Sequence, residues 1–102
     1  MVVATQYRAG SPPTIRRLSV PVGGIRRQTA TITNRLQVSN ESGGTVRLYF
    51  REPDFTNDEN YLLLVGNTGF YDGPATVTEY WLRTTVGGPN TVVVAEYFVK
   101  RV

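Results

Sequence analysis

The chain has 102 residues, 40% of them hydrophobic and 19% charged, with 11 basic and 8 acidic side chains, a net charge of +3, and neither Cys nor His. That length suits one domain, which hides only about two-thirds of the surface its unfolded chain exposes. The composition excludes disulfides, thiolate zinc sites, thiol nucleophiles, histidine-based triads and histidine metal sites.

The charge is unevenly placed. Residues 1–40 hold six arginines (Arg8, Arg16, Arg17, Arg26, Arg27 and Arg35) and no acid, whereas residues 41–102 hold five basic and eight acidic side chains. Such an asymmetry points to interaction surfaces. No apolar run approaches the roughly 20 residues of a membrane helix, so no membrane partner is expected. Met1 to Tyr7 carry no basic cluster followed by an apolar stretch, so no cleaved leader is expected and the mature protein should start near Met1.

Residues 1–28 contain Gly10, Pro12, Pro13, Pro21, Gly23 and Gly24. Proline interrupts helices and central strands alike, so this region reads as an extended basic arm, with short strand-like pieces at Val2–Tyr7 and Ile15–Val20. Stretched at about 3.3 Å per residue it reaches about 90 Å, enough to touch a neighbouring molecule.

Residues 29–102 read as the folded body. Ala30, Ile32, Leu36 and Val38 share one parity, the period-2 signal of a half-buried strand. Turn chemistry follows at Ser39–Gly44, and Thr45–Phe50 resumes alternation with Val46, Leu48 and Phe50 inward and Arg47, Tyr49 and Arg51 outward, which predicts a hairpin between the two segments. Pro53 ends that strand. Asp54–Asn60 is a loop or one helical turn anchored by Phe55, and Tyr61–Val65 is a short apolar segment. Phe70 and Tyr71 sit between turns, Asp72-Gly73-Pro74 closes another turn, and Ala75–Thr84 and Thr91–Val99 are the longest strand candidates, joined through Val86–Asn90. The last is apolar on both faces, as a central or covered strand is. The whole predicts an all-β fold, a small antiparallel sandwich or barrel carrying an extended N-terminal arm.

Paired arginines on an extended segment point to opposite sides, and guanidinium groups bind carboxylates and phosphates in a bidentate manner. Arg8, Arg16, Arg17, Arg26 and Arg27 are therefore candidate partner-binding residues. Nucleic acid is the less favoured partner, because the arm has only Tyr7 as an aromatic platform. Tyr80 and Trp81 are adjacent on a strand and face opposite sides, which makes Trp81 a further candidate for an interface. Asp54, Asp58 and Glu59, with Asn57 and Asn60, depart from the calcium-loop spacing, and a polar loop is a poor place to raise a carboxyl pKa for acid–base work. Gly66-Asn67-Thr68-Gly69 lacks the following Lys-Ser/Thr of a phosphate cradle. No catalytic residue, metal, cofactor or small-molecule substrate is expected, and the chain is not expected to be an enzyme.

The series Asn40-Glu41-Ser42-Gly43-Gly44-Thr45-Val46-Arg47-Leu48-Tyr49-Phe50, then Asn60-Tyr61, Gly73-Pro74-Ala75, Trp81-Leu82-Arg83 and the terminal Val92–Arg101 segment resembles small virion structural proteins of tailed bacteriophages, of the capsid decoration (cement) or other accessory head and tail type. The resemblance covers the last two-thirds of the chain. It implies a β body seated on an assembled shell in the virion, with the major capsid or another virion protein as partner and several copies acting together as a homo-oligomer on the particle. The arginine arm would add charge-assisted contacts to acidic shell surfaces. A carbohydrate- or host-surface-binding module that uses exposed members of the aromatic group Tyr61, Phe70, Tyr71, Tyr80 and Trp81 is the alternative.

Overall fold

The computed structural model describes residues 7–9 and 13–101, the side chains at 7–9, 30–32 and 99–101 excepted. Strands β1 (Tyr7–Ala9) and β8 (Val99–Arg101) pair as an antiparallel ribbon. The other six, β2 (Thr14–Val20), β3 (Ile25–Asn40), β4 (Thr45–Tyr49), β5 (Leu62–Leu64), β6 (Phe70–Val86) and β7 (Asn90–Tyr97), form one antiparallel sheet in the order β2-β7-β3-β6-β4-β5. A short helix, α1 (Glu52–Asn57), lies between β4 and β5. The fold is all-β, as the alternating segments and turn signals predict.

The two long strands make the architecture. β3 and β6 pair along most of their lengths, but their register shifts between Gln28 and Thr33 and again between Thr33 and Arg35, opposite Val77 and Pro74. Irregularities of this kind bend a strand and increase its twist. Beyond the bend β3 takes β7 as its other neighbour, while β6 takes β4 on the far side. The sheet therefore folds over on itself. Leu18, Val20, Leu36, Val38, Val92 and Val94 from one half meet Val46, Leu48, Leu64, Tyr80 and Leu82 from the other in a single core. Full burial of each such aliphatic side chain contributes about 1.5–3 kcal/mol. The curl closes further where the Thr84 amide donates to the Pro21 carbonyl at 3.2 Å and its hydroxyl donates to the Val20 carbonyl. The result is a sandwich approaching a barrel.

A second, smaller core lies on the outer face of β4 and β6. Tyr49 has the outward parity the sequence assigns it, yet it is fully buried because α1 and its flanks cover it. Its ring meets Phe55 edge-on at 5.3 Å and Tyr61 at 5.8 Å, and Phe55 stacks on Trp81 at 6.4 Å. Gly24, at φ +86°, lets the Phe55 ring approach the β2–β3 turn, because a Cβ there would lie 2.7 Å from that ring. Phe55 is an anchor as expected, although half-buried.

Three expectations change. Residues 13–28 are not an arm: Thr14–Val20 pairs with β7 along its whole length, Leu18 and Val20 belong to the core, and Ile25–Gln28 opens β3. The prolines bound β2 instead of breaking it, since Pro13 and Pro21 flank its ends. The Val2–Tyr7 strand, Tyr7 apart, lies outside the described residues. Next, β3 and β4 do not form a hairpin, because β6 runs between them. Finally, Phe70–Pro74 is the start of β6 and not a pair of turns. Pro74 is accommodated opposite Arg35, beside the register shift, where a missing amide donor is tolerated.

Candidate protein-binding surface

Alternation along β2 sends Arg16 to the inner face and Arg17 to the outer face; along β3 it sends Arg27 inward and Arg26 outward. Each pair thus splits as expected, but the sides are not equivalent. Arg16 Nε donates to Glu96 Oε2 at 2.9 Å, and its Nη2 donates to the Gln28 carbonyl at 3.3 Å, so the side chain ties β2 to β7 and β3. Glu96 is only 4% exposed and also accepts the Tyr80 hydroxyl at 2.8 Å. Burial, and then this bond to a carboxylate, push the Tyr80 phenol well above its ordinary range, so it stays a neutral donor. Arg16 is therefore part of what holds the body together.

Arg26 donates to Glu79 at 2.8 Å on the outer surface. Farther along, Arg35 grips Asp72 with both Nε and Nη2, at 2.9 and 2.8 Å, and holds its carboxyl below the usual range. Arg47 and Arg83 converge on Asp58, and Arg83 lies over the Phe55 ring at 4.2 Å. Asp58 caps α1 at φ 54°, and its carboxyl is held low first by the Tyr49 hydroxyl and then by Arg47. Among the described residues Arg17, Arg27 and Arg51 have no acidic partner.

Trp81 does not present an interface ring. It is 4% exposed, stacked on Phe55, and forms the floor of a cleft of about 400 Å³ with Phe50, Arg51, Glu52 and Glu79 at its sides. The side chain of Arg8 lies outside the described residues, but its backbone sits in β1 opposite Lys100, with Tyr7 opposite Arg101. The ribbon's six positions, Tyr7–Ala9 and Val99–Arg101, thus include three cationic residues and no acid. It leaves the body at the end of β7 that carries Glu96.

The outer face of β2 offers accessible apolar surface beside a cation. Ile15 is 66% exposed beside the exposed Arg17, on an edge strand whose in-sheet partner is β7. Val93 lies opposite Arg17, and on the same face of β6 Phe70 is 59% exposed. The sequence marked Arg17 and, within its aromatic group, Phe70, but not Ile15, whose exposure depends on which face of its strand the fold covers. Glu96 was missed as well, although a signal existed: it is an acid at inward parity in a strand where Val92 and Val94 share its face.

Two of the three carboxylates of the 54–60 segment, Asp54 and Asp58, are structural. Asp54 is buried and accepts the Asn60 amide at 3.1 Å, and Asp58 is held by Tyr49 and the two arginines. Among the described residues no helix is long and apolar enough to cross a membrane. No protein family, curated protein or solved structure matches the chain.

Proposed function

We propose that the chain is a structural binding subunit, of the decoration type that attaches to an assembled virion shell, and that its curled sheet is a rigid base for two contact elements. One is the edge formed by β2, where Ile15 and Arg17 are presented together. The other is the β1–β8 ribbon, with three cationic residues and no acid. The observation that carries this reading is the division of labour among the arginines: five are held by the chain's own carboxylates, whereas Arg17 stands exposed beside an uncovered apolar side chain. An acidic protein surface complements both elements, and charge-assisted contacts there set orientation and association rate. Of the aromatic group that a carbohydrate-binding module would use, Trp81 stacks on Phe55 of α1, Tyr61 packs on Tyr49 and Tyr80 is buried, whereas Phe70 alone of these four is exposed.

Mass spectrometry of intact particles from the source of the sequence should find the chain at high copy number. In a co-sedimentation assay with those particles, Arg17→Ala combined with Ile15→Ser should abolish pelleting while leaving the melting temperature unchanged. Unaltered co-sedimentation of that variant, or absence of the chain from the particles, would defeat the proposal.

A further inference from the structure

The charged end of the folded sheet holds a second feature. Among the described residues two buried guanidinium Nε atoms lack a hydrogen-bond acceptor, those of Arg27 and Arg47. The Arg47 case has an explanation, since its guanidinium lies 4.3 Å from the Tyr61 ring centre and is bound to Asp58. Among the described residues Arg27 has neither a ring nor an acid as partner. It sits opposite Tyr80 in the register, so it approaches the Tyr80–Glu96–Arg16 cluster from the other half of the sheet. The nearest acids are already engaged, Glu96 by Arg16 and Tyr80 and Glu79 by Arg26. With Arg26 and Gln28, Arg27 lines an open depression of about 400 Å³.

A guanidinium with a desolvated, unpaired N–H is expensive to maintain unless an anion completes it. The planar fork of donors favours carboxylate or phosphate oxygens over a spherical ion. We propose that Arg27, with Gln28 and the backbone of Arg26 beside it along β3, is a binding site for a single oxyanion, a carboxylate or phosphate group, at the Glu96 end of the sheet. The site does not depend on the shell-binding reading, because it is a property of the isolated chain.

The test uses the full chain and the Nε–Hε signals of its arginines in ¹⁵N-correlated NMR spectra. Inorganic phosphate and sodium acetate are titrated separately, each against sodium chloride at matched ionic strength. A saturable displacement of the Arg27 signal by phosphate, acetate or both, with the Arg17 signal following chloride alone, supports the site, and the preferred anion identifies the ligand class. Arg27→Gln should weaken binding, read from the Arg16 and Gln28 signals, by about tenfold or more, as loss of a charge-assisted pair implies, whereas Arg17→Gln should not change it. Should Arg27→Gln misfold, Arg27→Lys keeps the charge but not the fork and should bind several-fold more weakly. An Arg27 signal that moves with neither anion beyond the chloride control overturns the proposal.

Discussion

The two ends of the folded sheet are sealed by different chemistry. At one end two neutral amides are fully engaged: Asn40 Nδ2 donates to the Gly44 and Leu64 carbonyls at 2.9 and 3.0 Å while its Oδ1 accepts the Ser42 amide, and Asn90 Nδ2 donates to Thr84 Oγ1 and the Val86 carbonyl while its Oδ1 accepts the Gly44 amide. At the other end Arg16, Glu96 and Tyr80 form a charged cluster and Arg27 stands beside it unpaired. Neutral networks without loose ends rigidify a structure. Charged clusters must first offset desolvation, so they are weaker evidence of stability. The amide end is thus the fastener, and the charged end keeps capacity for another molecule.

Breaking the fastener should have the largest effect. Asn40→Ala removes three hydrogen bonds and leaves the Leu64 carbonyl buried without its donor, and Asn90→Ala does the same around Gly44. Each should cost about 3 kcal/mol, from the penalty for orphaned buried groups. For a domain of this size that lowers the melting temperature by about 12–20 °C in calorimetry. Gly44→Ala tests the same end sterically, since a Cβ there would collide with the Val86 carbonyl and the Asn90 side chain.

At the charged end Glu96→Gln should cost less, about 1–2 kcal/mol, because the Tyr80 hydroxyl can still donate to the amide oxygen and Arg16, whose side chain is 22% exposed, regains water. Urea unfolding measures both variants on one scale. A Glu96→Gln loss equal to that of Asn40→Ala would erase the distinction between the ends.

How much of this was legible in the sequence follows from the range of each signal. Parity along Val46-Leu48 and Leu36-Val38 is local, and it marks these core residues and the all-β class correctly, whereas Thr91–Val99 is apolar on both faces and parity does not single out Val92 and Val94. The pairing of Arg16 with Glu96 joins residues 80 positions apart, so a basic segment that looked free is neutralised by an acid that no local pattern connects to it. The same blindness turned β2 into an arm: its prolines were read as breakers, though Pro13 and Pro21 lie outside the strand. That Tyr80 and Trp81 face opposite sides of their strand is legible, but whether α1 covers the Trp81 side depends on Phe55 and Tyr61 folding back over β4. Turn chemistry at Ser39–Gly44 was visible, whereas the insertion of β6 between β3 and β4 was not.

An acid titration sharpens the comparison through the surface carboxylates that arginines hold. Asp58 is the main one to remove, because the Tyr49 hydroxyl and then Arg47 hold its carboxyl below the ordinary range. A carboxyl whose folded pKa lies below its unfolded value adds stability that is fully present above the unfolded value, near pH 4, and is lost as pH falls through the folded one. Asp58→Asn keeps a residue that tolerates the left-handed backbone at that position, so the cap survives while the charge goes. Its stability should lie slightly below that of the parent at pH 7, with the two curves converging as the pH falls through the folded pKa of the parent carboxyl, where that group is neutral too. Curves that stay parallel would remove Asp58 from the acid response. Convergence leaves a residual slope that Asp58→Asn does not abolish, part of it from Asp72, which Arg35 likewise holds low.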